Sequence, residues 1–310
     1  VIDTQLYLKA REGPSEKRGT GKQSPKAGFA SLFLDSRHGS AIAQGSMTDS
    51  ARGTNPLRPS FRIHSRTDVG RRRKRNEDCL GVLQRHGVFV VADGMGGVDG
   101  GDYSSRCVID TITESFFSLQ PEDLSYRSKL NLVEECINRA SARIFEEADR
   151  RGIHGMGTTV VVICFNLQTM KDACILHAGD SRVYRRRNRA IDALTRDHSM
   201  AAESGLSDNA MIPIFMAGVI TRAVGVRDEV EVDRTPVDVR KGDQFLLCSD
   251  GLYNMLPLHQ MTALLNQAPE DPSATLVNAA NDAGGFDNIT VVLVEVLEGE
   301  GPGNLDETQY

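Results

Sequence analysis

The pattern of hydrophobic and polar positions divides the chain near residue 60. Residues 1–60, rich in Gly, Ser, Pro and Lys, hold no sustained period. They are expected to be a disordered extension, because such a stretch buries too little apolar surface to offset the entropy of ordering it. From residue 61 the texture changes. FRIHSRT alternates as a half-buried strand does. CLGVLQ and GVFVVAD predict a second and third strand around the turn signal Arg85-His86-Gly87. Residues 102–120 and 127–151 carry helical spacing, the second with Leu130, Val133, Ile137, Ala140, Ile144 and Ala148 on one face. TTVVVICF, ACILHAGD and RVYRRR read as strands. EVDRTPVDV, QFLLCSD and ITVVLVEV follow, with a short helix near 273–283 between the last two. Two long helices and about ten strands predict an α+β sandwich, sheets inside and helices outside. The Gly- and acid-rich tail, 299–310, is expected to be loose, leaving 61–298 as the folded domain.

Composition changes the picture only in part. With 310 residues, 40% hydrophobic and 25% charged, the chain is an ordinary globular one, long enough for a large core. No apolar run approaches the ~20 residues of a membrane span, and no secretory pattern opens the chain. The expected setting is soluble and cytoplasmic. The chain does not begin with Met, and Met47 follows a Gly-Ser pair in GSMTDS. Met47 is read as the natural start, and residues 1–46 as foreign or mis-translated upstream sequence.

Charge changes it more. The formal net charge is −6, and residues 1–60 carry nine Lys and Arg against five Asp and Glu, the remainder 27 against 37. An acidic body argues against a nucleic-acid binder and suits bound metal cations. Arg71 to Arg75 and RRRNR at 185–189 are local exceptions, and the second is expected to be a solvated hairpin loop. The six cysteines, Cys79, Cys107, Cys136, Cys164, Cys174 and Cys248, form no CxxC pair and mostly lie in apolar runs. They read as free, buried thiols of a reducing compartment. Cys79 and Arg85 satisfy Cys-x5-Arg, but the residues between them lie on a predicted strand, where no helix N-terminus cradles a phosphate.

One construction recurs. GVFVVAD-Gly94, ACILHAG-Asp180 and QFLLCSD-Gly251 are apolar strands that stop at an aspartate beside a glycine; Asp78 precedes CLGV, and Asp287-Asn288 precedes ITVVLVEV. Each alone is a favoured turn. Together they can converge at one rim of a sandwich, where bare carboxylates would repel and raise one another's pKa. Divalent cations remove that penalty. All-oxygen ligands favour Mg²⁺ or Mn²⁺, and the seven histidines form no zinc-type pair. Glycines at 94–97 let backbone carbonyls approach a metal. Two metals ~3.5–4 Å apart can activate a shared water for in-line attack at phosphorus. A phosphate held there needs a guanidinium as two-point donor, a task open to one member of Arg71–Arg75.

The motifs TDVGRRRKRNED (67–78), VADGMGG (91–97), GMGTT (155–159), AGDSRVY (178–184), LTRDHS (194–199), LLCSDGL (246–252) and GGFDNITVV (284–292) resemble, in order, those of the metal-dependent protein phosphatase 2C family. DGMGG is similar to the bacterial branch. The resemblance runs from about residue 62 to 297 and implies a β-sandwich of two antiparallel sheets flanked by α-helices. It implies a serine/threonine protein phosphatase with two Mn²⁺ or Mg²⁺ ions, hydrolysing phosphoserine and phosphothreonine through a metal-activated water. The partners it implies are phosphorylated proteins and a bacterial-type serine/threonine kinase, with no nucleic acid and no membrane; the chain is expected to be a monomer.

By the same resemblance Arg73, four residues before Glu77, would contact the substrate phosphate. Asp78, Asp93, Asp250 and Asp287 would hold the two metals with the carbonyl oxygen of Gly94. Asp180 would hold a third, weaker ion shared with Asp250. Glu77 would bind water on the metals, and Asn288 would orient Asp287 or the backbone near it. Thr158 and Thr159 are expected to start a core strand with no chemical role. Three departures stand out. Met95 replaces the histidine that animal members offer as leaving-group acid. Asn254 replaces an aspartate of some members, which weakens the expected third site. The segment between Asp197 and Thr221 corresponds to the flap beside the site; it is short and apolar and transfers no substrate preference. With all four core aspartates in place, a non-catalytic phosphoprotein-binding module is not expected.

Overall fold

The computed structural model describes residues 61–97, 100–204 and 218–297. The expectations for residues 1–60, Met47 among them, for most of the flap and for the tail lie outside the described residues.

Two antiparallel sheets face one another, with helices outside. The first sheet runs in the order β1 (Phe61–Asp68), β11 (Ile289–Val296), β10 (Gln244–Cys248), β7 (Arg182–Arg187), β8 (Ala190–Ala193). The second runs β2 (Asp78–Leu83), β3 (Val88–Met95), β5 (Val160–Phe165), β6 (Asp172–Ala178), β9 (Asp233–Asp238), with β4 (Gly157–Thr158) beside the end of β3. Helices α1 (Gly101–Phe117) and α2 (Tyr126–Arg151) cover the second sheet. A short α3 (Met200–Glu203) follows Ser199. Helices α4 (Asp250–Tyr253), α5 (Leu258–Asn266) and α6 (Pro272–Asp282) cover the first sheet.

This layering explains the unbroken apolar runs. A strand covered on both faces has no polar face to alternate with. In β3, Phe89 and Val91 enter the layer between the sheets, while Val88, Val90 and Ala92 meet α1 and α2. In β11, Val292 and Val294 point inward, and Val291 and Leu293 pack under α4–α6. The inner layer is pinned by four rings: Phe61, Phe89, Phe165 and Phe245 pack with centroid separations of 4.8–5.9 Å. Tilted and edge-on geometries of this kind favour aromatic pairs over face-to-face stacking.

The long helices carry their own start and stop signals. The Ser125 hydroxyl accepts from the Ser128 N–H to cap α2, and Gly152, at φ 67°, ends it. Helix α6 begins with Asp271 as cap and Pro272 in its first turn. Helix α5 was not expected. Only Met261 and Leu265 of its nine residues are buried, too short a stripe to show a period.

The RRRNR segment departs from expectation. It is not a solvated loop but a brace across the two sheets. Arg185 and Arg187 on β7 bond Asp238 on β9 at 2.9 and 2.7 Å, and Arg187 also bonds the buried Asp243 at 2.6 Å. Arg186 reaches Asn266 and Gln244. Asn188 and Arg189, both at positive φ, form the tight β7–β8 turn.

Lys129 on α2 is a buried cation that no motif announced. Its ammonium donates to the backbone oxygens of His86 (2.8 Å) and Phe165 (2.6 Å), tying the helix to the ends of the second sheet. Burial lowers its pKa. Replacing Lys129 with Met is expected to leave both carbonyls without this donor and to cost about 2–3 kcal/mol of stability, measurable from urea midpoints.

Candidate metal centre

Strand ends from both sheets meet at one rim. The β2–β3 register places Asp78 directly opposite Asp93. In the other sheet, β10 ends beside the start of β11, where the Ser249 N–H donates to the Thr290 carbonyl at 3.1 Å. Asp250 therefore follows β10 on the same rim that Asp287 reaches just before β11. The approach is close: a Cβ on Gly251 would lie 2.1 Å from the Asn288 oxygen. A Cβ on Gly94 would lie 2.2 Å from the Gly101 oxygen and 2.6 Å from that of Glu77. Neither position has space for a side chain.

The carboxylates perturb one another. Burial pushes Asp78 up to about 6, against hydrogen bonds from Thr290 and Ser249, and Asp287 adds repulsion. Burial raises Asp93 well above the carboxylate range, and Asp78, Asp250, Asp180 and Asp287 each push it further. Asp250 is pushed up to about 7 by burial, then by Asp180, Asp287 and Asp78. Asp180 rises to about 6, through burial and then Asp197. Four carboxylates thus share one low-dielectric neighbourhood, with the partly exposed Asp287 at its edge.

Among the described residues, two oxygens there lack protein partners. Asp78 Oδ2 accepts from the Ser249 hydroxyl at 2.7 Å, but the buried Asp78 Oδ1 has no partner. Asn254 donates to Asp250 Oδ2 at 3.1 Å, while the buried Asp250 Oδ1 has none. Buried polar atoms are almost always hydrogen-bonded. Orphaned oxygens among mutually repelling carboxylates fit hard divalent cations with oxygen ligands. Asp78, Asp93, Asp250 and Asp287 are the candidate ligands, with the Gly94 carbonyl beside them and Asp180 nearby.

The remaining candidates surround this group. Arg73 Nη2 bonds Asp287 Oδ2 at 2.6 Å, and its side chain is half exposed. Glu77 lies beside Arg73, its pKa raised by burial against that arginine. Asn288 is a staple. Its Oδ1 accepts from the Glu77 N–H (2.8 Å), and its Nδ2 donates to the Val69 and Arg75 oxygens (2.9 and 2.8 Å). It fixes the arginine-bearing loop against the start of β11.

Several positioning residues lie in or beside the motifs without a positioning role having been read for them. Thr159 Oγ1 accepts from the Asp93 N–H at 3.1 Å and Thr158 Oγ1 donates to the Asp93 oxygen at 2.8 Å, so the pair clasps the Asp93 backbone from both sides. The Tyr253 hydroxyl donates to the Asp180 oxygen at 2.9 Å, and the Arg182 guanidinium lies 3.6 Å over the Tyr253 ring. Asp197 holds Arg182 with two hydrogen bonds, 2.8 and 2.7 Å.

Histidine pairing was also invisible. His177, His198 and Asp233 place donor atoms within 4.8 Å of one another, a group that could hold a metal ion. They lie far apart in sequence, so no spacing rule finds them. Most of their polar atoms are already engaged, though the buried His177 Nδ1 has no partner among the described residues. The Gly179 N–H donates to His198 Nδ1 at 3.1 Å, and His198 Nε2 lies 3.2 Å from Asp233 and 3.1 Å from Arg222 Nη1. Arg222 pairs with the same aspartate, and His177 Nε2 meets the Arg196 oxygen at 3.0 Å. An ion entering there must displace Arg222.

The cysteines are free, five buried and Cys79 half-buried. Cys79 lies on β2, and burial pushes its thiol up to about 11, the wrong direction for a nucleophile. Among the described residues, no helix is long and apolar enough to cross a membrane.

A two-sheet sandwich with acids converging at one rim defines the class. The chain belongs to the protein phosphatase 2C family, whose profile matches residues 70–291, and it is a phosphatase. It is 34% identical, over 243 residues, to the serine/threonine phosphatase stp of Listeria monocytogenes, covering 74% of this chain and 94% of that one. PppA of Pseudomonas aeruginosa, described as a key regulatory component of T6SS, superposes with a TM-score of 0.67 at 33% identity, over 77% of this chain and 99% of that one. The catalytic domain of the serine threonine protein phosphatase PstP, in complex with two manganese ions, superposes with a TM-score of 0.66 at 30% identity, over 77% and 99%.

Proposed function

We propose that this chain hydrolyses phosphoserine and phosphothreonine in phosphorylated proteins, with two Mn²⁺ or Mg²⁺ ions at the rim. The observation that carries the reading is the facing pair Asp78–Asp93, joined by Asp250 and Asp287, with two buried carboxylate oxygens left without partners. Likeness to a bacterial serine/threonine phosphatase and to a manganese-bound catalytic domain supports it.

Asp78, Asp93, Asp250 and Asp287 would hold the two ions with the Gly94 carbonyl, and Asp180 with Asp250 would hold a weaker third. Bound there, divalent cations neutralise the carboxylates and supply Lewis acidity toward water and phosphoryl oxygen. The chain's own residues do the rest. Arg73 offers a planar two-point donor to the phosphate, exchanging its contact with Asp287 for the substrate's oxygens. Asn288 holds the loop that carries it, and Thr158 and Thr159 fix the Asp93 backbone. Met95 has no proton to give, so the proton for the departing hydroxyl comes from elsewhere than residue 95. The substrates are those of a bacterial-type serine/threonine kinase, and the enzyme acts as a cytoplasmic monomer.

The test is hydrolysis of a phosphothreonine peptide during Mn²⁺ titration. EDTA should abolish turnover and a thiol alkylator should leave it; alkylator-sensitive, chelator-resistant activity overturns the reading. Arg73→Ala is expected to raise KM for the peptide about 10- to 100-fold, the loss of a charge-assisted two-point contact. Unchanged KM and kcat would remove Arg73 from the phosphate site.

A further inference from the structure

We propose that Phe286, stacked with Arg72, is the seat for an apolar side chain next to the phosphorylated residue of the substrate. The inference rests on the phosphatase reading of the adjacent rim. Two loops build it, residues 69–77 before β2 and residues 283–288 before β11. They are clamped together: the Arg71 N–H donates to the Gly285 oxygen at 2.7 Å, and Asn288 donates to the Val69 and Arg75 oxygens. Across the clamp, consecutive residues pair like rungs. Arg73 meets Asp287 at 2.6 Å, and the Arg72 guanidinium carbon lies 5.5 Å from the Phe286 ring centroid.

Consecutive Cα atoms are ~3.8 Å apart, and an extended peptide advances ~3.3–3.6 Å per residue. The aromatic rung is therefore one residue from the rung assigned to phosphate. A substrate chain that follows these rungs, with its phosphate at Arg73, would carry a neighbouring side chain past Phe286.

The ring is prepared for such a contact. It is 57% exposed and belongs to none of the three apolar clusters. It is also held in place. Gly284, at φ 137°, lies under it so closely that a Cβ there would sit 2.7 Å from the ring. Arg72 packs against it as a cation–π partner. An aromatic surface fixed before binding loses little freedom when a ligand arrives. Its open area takes apolar side chains, while the cations at 71–75 disfavour basic neighbours on the substrate.

The experiment compares two phosphothreonine peptides, identical except for leucine or glycine on both sides of the phosphothreonine, with p-nitrophenyl phosphate as reference. The wild-type protein in Mn²⁺ should favour the leucine peptide, mainly through KM. In Phe286→Ala the leucine-to-glycine ratio of kcat/KM should fall about tenfold, the loss of part of one buried apolar contact. Phe286→Leu should restore most of the preference. A ratio unchanged by Phe286→Ala, or an equal loss on all three substrates, overturns the inference; the second result would make the ring a prop for Asp287. Absence of wild-type turnover on all three would instead overturn the phosphatase reading, and the inference with it.

Discussion

Asp250→Asn is expected to abolish metal-dependent turnover, with kcat reduced about 10³-fold or more, and at the same time to stabilise the metal-free protein. The two effects share one cause. Asp250 is pushed up to about 7 by burial and by Asp180, Asp287 and Asp78, so its negative charge is costly without a counter-ion. An amide removes that charge. It also removes one anionic ligand and can turn an N–H toward the orphaned position of Asp250 Oδ1. Losing about 4 kcal/mol of transition-state stabilisation corresponds to that 10³-fold. Turnover assays and thermal melts in EDTA measure both on one preparation. Near-normal kcat would contradict the metal assignment, and a lower melting temperature in EDTA would contradict the repulsion.

The second large effect is on stability against pH. Without metals the rim carboxyls titrate above their unfolded value of 3.8, Asp78 and Asp180 at about 6 and Asp250 at about 7. The folded state then binds more protons than the unfolded state in that interval. Stability therefore falls as pH rises from about 4 to about 7. A group that titrates one pH unit higher in the folded state than in the unfolded loses ~1.4 kcal/mol across that interval, so the three together lose on the order of several kcal/mol. Carboxyls held low, such as Asp238 beside Arg187, act oppositely, but their contribution is lost only as pH falls through the acid side of 3.8. Mn²⁺ should reverse the slope, because cations replace the protons and bind only the folded rim. Urea midpoints at pH 5 and pH 8, in EDTA and in Mn²⁺, measure this. A metal-free protein more stable at pH 8 would show that the carboxylates do not share the rim.

Legibility differed with the range of each interaction. Most strands of 61–297 were readable, by long apolar runs or, in β1, by alternation, while the short β8 was not; α2 was readable because its apolar face, Leu130 to Ala148, repeats over about five turns. α5 escaped because two buried residues make no period. The arginines at 185–189 read as solvated because their partners, Asp238, Asp243 and Asn266, lie more than 50 residues away. Thr158 and Thr159 looked inert because a hydroxyl that clasps a distant backbone leaves no local pattern. The His177–His198 stack, 4.5 Å between centroids, depends on strands brought together only by folding.

By itself the sequence determined which acids end apolar strands, the order of the motifs and the cation that precedes Glu77. The first is a local fact, fixed by period and by turn chemistry; the other two rest on the family resemblance. The tertiary structure decided that Asp78 faces Asp93, that Asp250 joins them from the other sheet, and that two carboxylate oxygens remain without partners. It also paired Arg72 with Phe286, one residue from Arg73 and Asp287. Repulsion among buried carboxylates exists only once two sheets have brought their strand ends to one rim, and no order of residues along a chain contains that distance.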